Sequence, residues 1–184
     1  MGPATAVLTI DIQQGLITGF EADWAGVLEC IAHLLRRARQ AGIPILHVQH
    51  EGGPGHPLAA GSRGWQLHPA VQVGHEPVVA KRWSDAFVET TLSRELEARS
   101  IGHLIVVGAQ TEFCVDATVR RAASLGYDVT LVADGHTTSD SRQLTREQII
   151  AHHNRTLPRL AVDGPRIATV LAAEISFEQA TLSS

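Results

Sequence analysis

Residues 104–118, which read Leu-Ile-Val-Val-Gly-Ala-Gln-Thr-Glu-Phe-Cys-Val-Asp-Ala-Thr, decide the fold of this chain. Residues 104–107 are apolar and mostly β-branched, and so short a run predicts a strand that is buried on both faces. From Val115 onward, apolar residues recur at helical spacing until Gly126, a residue typical of helix C-terminal caps. The pattern therefore predicts that Cys114 lies in the first turn of a helix, at the carboxyl end of a central strand.

The predicted position of Cys114 makes its thiol the candidate nucleophile. Ligands of open α/β sheets bind at the carboxyl ends of the strands. The unpaired N–H groups and the positive dipole end at a helix start favour thiolate over thiol, and a thiolate is a strong nucleophile. The alternative interpretation is a small, buried, apolar cysteine without chemistry. The strand–turn–helix junction favours the nucleophile.

Composition and charge narrow the class of protein. With 184 residues, 44% of them apolar and 18% charged, the sequence predicts one globular domain over residues 1–184. A net charge of -4 with no basic stripe argues against nucleic-acid binding, and no apolar run reaches membrane-spanning length. The two cysteines, Cys30 and Cys114, form no disulfide framework, and no secretory signal pattern is seen. A cytoplasmic location is therefore expected, with Cys30 on the buried face of a helix.

Strand patterns alternate with helical patterns along the chain, which predicts a parallel sheet with right-handed crossovers and helices on both faces. The expected fold is a three-layer α/β/α domain with a six-stranded, mainly parallel sheet. Between His50 and Gly74 the sequence predicts a long loop, which is either functional or disordered. From Glu174 onward it predicts a short helix or a loose tail. The predicted strands are residues 6–11, 43–48, 77–80, 104–107, 128–132 and 166–170; the predicted helices cover residues 28–38, 88–99, 114–125 and 145–157, the last with a capping box of Thr145 and Gln148.

Three reactive side chains share one predicted edge of the sheet. Asp11 ends the first strand, Lys81 ends the third, and Cys114 follows the fourth. Each charged residue alone has a simpler interpretation, a capping carboxylate for Asp11 and a solvated strand-end charge for Lys81. Their common edge with Cys114 instead predicts a triad, in which Asp11 takes the thiol proton and Lys81 holds the carboxylate ionised and favours the thiolate.

The chain resembles the isochorismatase-like cysteine hydrolase superfamily along nearly its whole length. The resemblance rests on three motifs: Asp-Ile-Gln-Gln-Gly-Leu at residues 11–16, Lys-Arg-Trp-Ser-Asp-Ala-Phe at 81–87 and Gly-Ala-Gln-Thr-Glu-Phe-Cys-Val at 108–115. It implies that Asp11 is the general base, Lys81 the triad lysine and Cys114 a nucleophile that forms a covalent intermediate. It also implies a cis peptide bond between Ala109 and Gln110, with the N–H groups of Gln110 and Cys114 facing a developing oxyanion. Subunits of this family commonly associate, so a homo-oligomer is expected.

The region after the second strand departs from the metal-binding members of the superfamily. Nicotinamidases carry an Asp-x-His pattern there, whereas this chain has Gln49 near the position of the aspartate. Zinc ligation by His47, His50, His56 and Glu51 is conceivable, but their spacing fits no helix or hairpin pattern. The sequence therefore predicts neither a metal nor another cofactor, and a metal-dependent amidase of the nicotinamidase type is the alternative.

The expected function is hydrolysis of a C–N bond in a small metabolite. Superfamily members that cleave the vinyl ether of isochorismate lack the cysteine, so Cys114 indicates an amide, carbamoyl or ureido substrate and a covalent acyl intermediate. A non-catalytic binding or assembly protein with the same fold is a further alternative. Five residues are predicted to line the substrate pocket: Gln14, Leu16, Phe113, Trp83 and Phe87. For Trp83 and Phe87, packing in the apolar core is the alternative.

Two more residues near these motifs carry predictions. Trp65, in the long loop, is either a lid residue or an interface anchor. Glu112, in the turn before Cys114, is expected to be structural and to bond the backbone or Arg120.

Overall fold

A computed structural model describes residues 4–19, 21–71, 74–160 and 164–177. Six strands form one sheet in the order β3-β2-β1-β4-β5-β6, and each neighbouring pair is parallel. The predicted six-stranded α/β fold is confirmed, and the sheet is parallel throughout these strands. The strands are β1 (Ala4–Ile10), β2 (Ile45–His50), β3 (Val78–Lys81), β4 (Ile101–Ala109), β5 (Asp128–Thr137) and β6 (Ile167–Val170).

Helices connect the strands. The α-helices are α1 (Gln14–Ile17), α2 (Glu21–Gln40), α3 (Leu92–Glu97), α4 (Asp116–Ser124) and α5 (Arg146–Thr156), and a π-helical turn, Thr111–Val115, leads directly into α4. Short 3-10 turns lie at Pro69–Val71, Leu157–Arg159 and Ala172–Glu174. The tail predicted from Glu174 thus begins in a 3-10 turn, and residues 178–184 lie outside the described residues.

Two apolar cores cover the two faces of the sheet. On β4, Leu104 and Val106 point into one core, and Ile105 and Val107 point into the other, as alternation along a strand requires. The first core includes Val119 of α4 and the second includes residues of α2. Helices therefore pack on both faces, and the sheet forms the middle of three layers.

The helix expected over residues 88–99 is shorter in the structure. It begins only at Leu92, because Glu89 has a φ of 54°, which a right-handed helix cannot include. The hydroxyl of Thr90 donates instead to the carbonyl of Ala86, at 2.6 Å. The prediction of a helix over residues 88–91 is therefore wrong.

Strand β5 is five residues longer than the 128–132 predicted from its apolar pattern. Its pairing with β4 is interrupted: Val106 pairs with Leu131, but Gly108 pairs with His136. The additional residues of β5 form a bulge, after which the strand runs beside the end of β4. This irregularity brings polar residues of β5 to the edge of the sheet where Cys114 lies.

No helix among the described residues is both long enough and apolar enough to cross a membrane.

Candidate active site

The structure brings Asp11, Lys81 and Cys114 together at the carboxyl edge of the sheet. The Nζ atom of Lys81 lies 2.7 Å from Oδ2 of Asp11 and 3.1 Å from Sγ of Cys114. Asp11 follows the central strand β1, Lys81 ends β3, and Cys114 follows β4. The long lysine side chain spans the intervening strand β2, so residues from strands that are not neighbours can meet.

His50 is a further neighbour of the Lys81 ammonium. It ends β2, and its Nδ1 lies 3.4 Å from Nζ. Among the described residues, Asp11, Cys114 and His50 thus offer one acceptor for each of the three ammonium protons. The sequence predicts His50 only as a possible metal ligand at the start of the long loop, because the strand was predicted to end at residue 48; in the structure β2 extends to His50.

Burial governs the protonation of Asp11 and Cys114. Burial raises the pKa of the Asp11 carboxyl, and the nearby Lys81 ammonium opposes that rise. Burial, together with the Asp11 carboxylate, raises the pKa of the Cys114 thiol to about 11, while Lys81 opposes this shift. The expectation that a helix start lowers the pKa of Cys114 is therefore wrong, because desolvation and the facing carboxylate outweigh the cation. The resting cysteine is a thiol and needs a base.

Asp11 has an oxygen free to act as that base. While Oδ2 is paired with Lys81, Oδ1 is buried and has no hydrogen-bond partner among the described residues. The carboxyl group and the Cys114 thiol interact directly enough to perturb each other's pKa. A buried acceptor without a donor is costly, so Oδ1 gains when a proton reaches it.

The backbone around the site holds these groups close. Asp11 has a φ of 51° where β1 ends, a conformation that Asp tolerates better than most residues. Gly108 has a φ of 129°, and a Cβ there would lie 2.1 Å from the Ile10 carbonyl oxygen, so only glycine allows β4 this close to β1. The peptide bond between Ala109 and Gln110 is cis.

Cys114 lies in the π-helical turn and not in the first turn of an α-helix, which corrects the prediction. The carbonyl of Gln110 accepts hydrogen bonds from the N–H groups of Phe113, at 3.1 Å, and Val115, at 3.2 Å. The second bond closes the wider i+5 ring of a π turn. The regular helix α4 begins two residues after the cysteine.

The loop between His50 and Gly74 is anchored to this edge by two buried amides. The Gln13 side chain donates to the carbonyls of His50, at 2.9 Å, and Trp65, at 2.8 Å, and accepts from the His50 N–H. Gln49 also donates to the Trp65 carbonyl, at 2.7 Å. Gln49, which stands near the position of the aspartate in nicotinamidases, therefore anchors the loop. The Trp65 indole nitrogen is buried and has no hydrogen-bond partner in the described ranges.

The residues considered as zinc ligands have other partners. His47 is buried between Thr9, at 2.8 Å, and Glu76, at 2.9 Å, and Glu51 pairs with Arg82. Nδ1 of His56 accepts from the Leu58 N–H. Within the described part of the chain, no three or more His, Cys, Asp or Glu side chains are arranged to hold a metal ion, so these residues do not fit a resident metal.

Two clefts adjoin the cluster. One of about 580 Å³ is lined by His50, Glu51, His56 and Arg82, among others. A smaller one of about 210 Å³ is lined by Lys81 and Trp83, and the Trp83 side chain is 56% exposed. Trp83 therefore lines a cleft together with Lys81, one of the three candidate site residues.

The other predicted pocket residues have different surroundings. Phe113 is 53% exposed beside Cys114, and Gln14 of α1 lies 3.5 Å from the Gln66 side chain. Leu16 packs against the second core. Phe87 packs against the first core and stacks on Tyr127 with ring centroids 5.9 Å apart, which is the alternative interpretation of that residue.

Of the two partners expected for Glu112, the backbone and Arg120, the described residues show no bond to Arg120. Arg120 pairs with Asp116, at 2.7 Å, one turn earlier in α4. The Oε2 atom of Glu112 is buried and has no hydrogen-bond partner among the residues that the structure describes.

Comparison with known proteins adds relatives of known activity. The sequence profile of the Isochorismatase domain matches residues 5–157. A streptothricin hydrolase of Streptomyces noursei is 41% identical over 138 residues, which cover 73% of this chain and 50% of that protein. The chain spans about half the length of the streptothricin hydrolases that it matches.

A second relative and a solved structure agree with that match. Ureidoacrylate amidohydrolase RutB of Variovorax paradoxus strain S110 is 28% identical over 171 residues, covering 71% of this chain and 67% of that protein. The crystal structure of an isochorismatase from Pseudomonas putida KT2440 has a TM-score of 0.84 and 28% identity, covering 96% of this chain and 94% of that one.

Proposed function

Because this chain belongs to the isochorismatase family, we propose that it is a cysteine hydrolase. Its substrate is a small metabolite with an amide, carbamoyl or ureido group, and the C–N bond is cleaved through an acyl intermediate on Cys114. The names of two relatives, ureidoacrylate amidohydrolase and streptothricin hydrolase, support hydrolysis of such compounds. The observation that carries the proposal is the contact of one buried lysine with both reactive groups: Nζ of Lys81 lies 2.7 Å from Oδ2 of Asp11 and 3.1 Å from Sγ of Cys114.

In the first half of the reaction, Sγ of Cys114 attacks the carbonyl carbon and its proton passes to Oδ1 of Asp11. The raised pKa of the buried carboxyl makes Asp11 a stronger base than an exposed aspartate. The oxyanion of the tetrahedral intermediate faces the N–H groups of Gln110 and Cys114, the donors that the family resemblance assigns. The C–N bond then breaks, and protonated Asp11 gives its proton to the departing nitrogen.

In the second half, water attacks the thioester and transfers a proton to Asp11. The C–S bond breaks, the acid leaves, and the sulfur regains the proton from Asp11, so the enzyme returns to its starting state. Lys81 takes no part in these proton transfers and stabilises whichever of its partners is anionic, the Asp11 carboxylate or the departing Cys114 thiolate.

The experiment that tests this function measures ammonia or amine release from a panel of amides, carbamoyl amino acids and ureido compounds. We expect the wild type to hydrolyse at least one compound and Cys114→Ala to lose at least about 10³-fold in kcat/KM. Cys30→Ala is the matched control, because Cys30 is a half-buried thiol of α2 that packs against the second core, whereas Cys114 packs against the first.

Two further results decide the proposal. Mass spectrometry of a rapidly quenched reaction should find the acyl group on Cys114 and none on Cys30. If Cys114→Ala hydrolyses the panel as fast as wild type, or if the wild type hydrolyses none of it, the chain is not the hydrolase proposed here.

A further inference from the structure

A buried chain of hydrogen bonds lies behind the turn that carries Cys114. The hydroxyl of Thr111 lies 2.9 Å from Nδ1 of His136, and Nε2 of His136 lies 2.9 Å from Oδ1 of Asn154. The Asn154 amide nitrogen donates to the Ala133 carbonyl, at 3.0 Å. Thr111 and His136 are 0% and 1% exposed, respectively. This chain links the π-helical turn, β5 and α5.

The donors and acceptors in this series of hydrogen bonds can be assigned. Since the Asn154 nitrogen donates to Ala133, its Oδ1 faces His136 and can only accept a hydrogen bond. Nε2 of His136 therefore carries the proton, Nδ1 accepts, and the Thr111 hydroxyl donates. Burial lowers the pKa of His136, which keeps the ring in the neutral form that this pattern needs.

The bulge in β5 places the imidazole at the turn. Beyond it, His136 pairs with Gly108 and Thr137 pairs with Ala109, so the strand runs alongside the last residues of β4. Thr111 follows the cis peptide bond between Ala109 and Gln110 and is the first residue of the π-helical turn. The ring thus holds the start of the five-residue turn in which Cys114 is the fourth residue.

We infer that His136, oriented by Asn154, is a positioning residue that fixes Thr111 and thereby sets Sγ of Cys114 against Lys81 and Asp11. The inference rests on the proposed role of Cys114 as nucleophile. His136 touches none of the three reacting side chains in the hydrogen bonds described, so it acts through the turn. A small displacement of a nucleophile costs rate even when binding is unchanged.

The structure offers a matched control for this hydrogen bond. Thr130, also on β5, lies 2.8 Å from Nε2 of His103, which is a threonine–histidine bond of the same kind. His103 lies near the start of β4, toward the amino edge of the sheet and away from the nucleophile. Thr130→Val therefore removes an equivalent bond without touching the turn.

The test compares Thr111→Val, Thr111→Ser and Thr130→Val in two measurements. The first is the pH profile of Cys114 alkylation by iodoacetamide, which needs no substrate. The second is kcat and KM on a hydrolysed compound from the panel. We expect Thr111→Val to lower kcat roughly tenfold with KM within about twofold, and to shift the alkylation profile. Thr111→Ser should behave as wild type, and Thr130→Val should change stability only.

Each outcome decides the inference. If Thr111→Val loses stability but keeps the wild-type alkylation profile and kcat, the bond is only structural and the inference is wrong. If Thr111→Val does not fold, Asn154→Ala takes its place, because it removes the acceptor that orients His136 and leaves every residue of the π-helical turn unchanged. If the wild type hydrolyses no compound, the proposed function fails, and the alkylation profile alone decides whether the hydrogen bonds of His136 position the thiol.

Discussion

At the scale of single residues, the Lys81 ammonium organises the site. It is buried with Asp11, and a buried cation without partners would cost several kcal/mol. Its contacts with Asp11, Cys114 and His50 compensate that cost, and the other oxygen of the Asp11 carboxylate has no hydrogen-bond partner in the part of the chain that the structure describes. The cluster can thus hold either the carboxylate or the thiolate as the anion, which is what a cysteine hydrolase needs during its cycle.

Asp11→Asn tests the electrostatics of this cluster. The Asp11 carboxylate raises the pKa of the Cys114 thiol, so its removal should lower that pKa and speed alkylation of Cys114 at pH 8. Hydrolysis should nevertheless be lost, because the base is gone. Labelling with iodoacetamide followed by peptide mass spectrometry measures the rate, with Cys30 as internal reference.

Lys81→Met is the matched variant, which should change the pKa of the Cys114 thiol in the opposite direction. Lys81 opposes the rise of the thiol pKa, so removing its charge should slow alkylation at pH 8. Slower labelling in Asp11→Asn, or faster labelling in Lys81→Met, would contradict the assignment of charges in the cluster.

The meeting of Asp11, Lys81 and Cys114 at one edge of the sheet was predictable from the sequence, because each ends or follows an apolar strand pattern. The protonation of the thiol was not predictable, since it depends on burial and on a carboxylate more than 100 positions away in the chain. His136 was missed for a related reason, because its role comes from a hydrogen bond to a residue distant in sequence and no local pattern marks it. Gln13 lies in the motif of residues 11–16, but its hydrogen bonds to the long loop were not predicted.

At the scale of elements, caps and bulges decide where helices and strands begin and end. The capping box predicted for Thr145 and Gln148 is present: each side chain accepts a hydrogen bond from the other residue's N–H group. This pairing is local, three residues apart, which is why the sequence could predict it. The bulge of β5 and the late start of α3 depend on neighbouring elements and were not predicted.

Thr145→Ala tests the start of α5. Loss of the capping hydroxyl should lower the free energy of unfolding by about 1 kcal/mol, and Thr145→Ser should restore most of it. Urea denaturation followed by circular dichroism measures the difference. Equal stability of the alanine and wild-type proteins would show that the cap contributes nothing. Since α5 carries Asn154, the same variant also reports how far the helix end is coupled to the active-site turn.

At the scale of the whole molecule, buried histidines couple stability to pH. His47, His103 and His136 all have a pKa lowered chiefly by burial. Each binds a proton less readily in the folded state than in the unfolded state, so the unfolded state binds more protons below the ordinary histidine pKa of about 6.5. Their contribution to stability is present above that pH and is lost as the pH falls.

The free energy of unfolding should therefore decrease between pH 7 and pH 5, by at most about 1.4 kcal/mol per pH unit for each histidine. Urea denaturation at pH 5, 6 and 7 measures the slope. His103→Gln, which is remote from the triad, should reduce it. A free energy of unfolding that is constant or rises toward pH 5 would contradict the lowered pKa values of these rings.

The homo-oligomer and the cytoplasmic location of the protein stay predictions.

The sequence by itself determined the order of strands and helices, the parallel sheet and the three strand ends that carry Asp11, Lys81 and Cys114. These features follow from the periodicity of apolar residues and from residues that end helices, such as Gly126, and both are local properties of the sequence. Only the tertiary structure decided the protonation of the thiol, the π-helical turn around it and the His136 support behind it. These depend on burial and on contacts between strands far apart in sequence, which exist only once the sheet has formed.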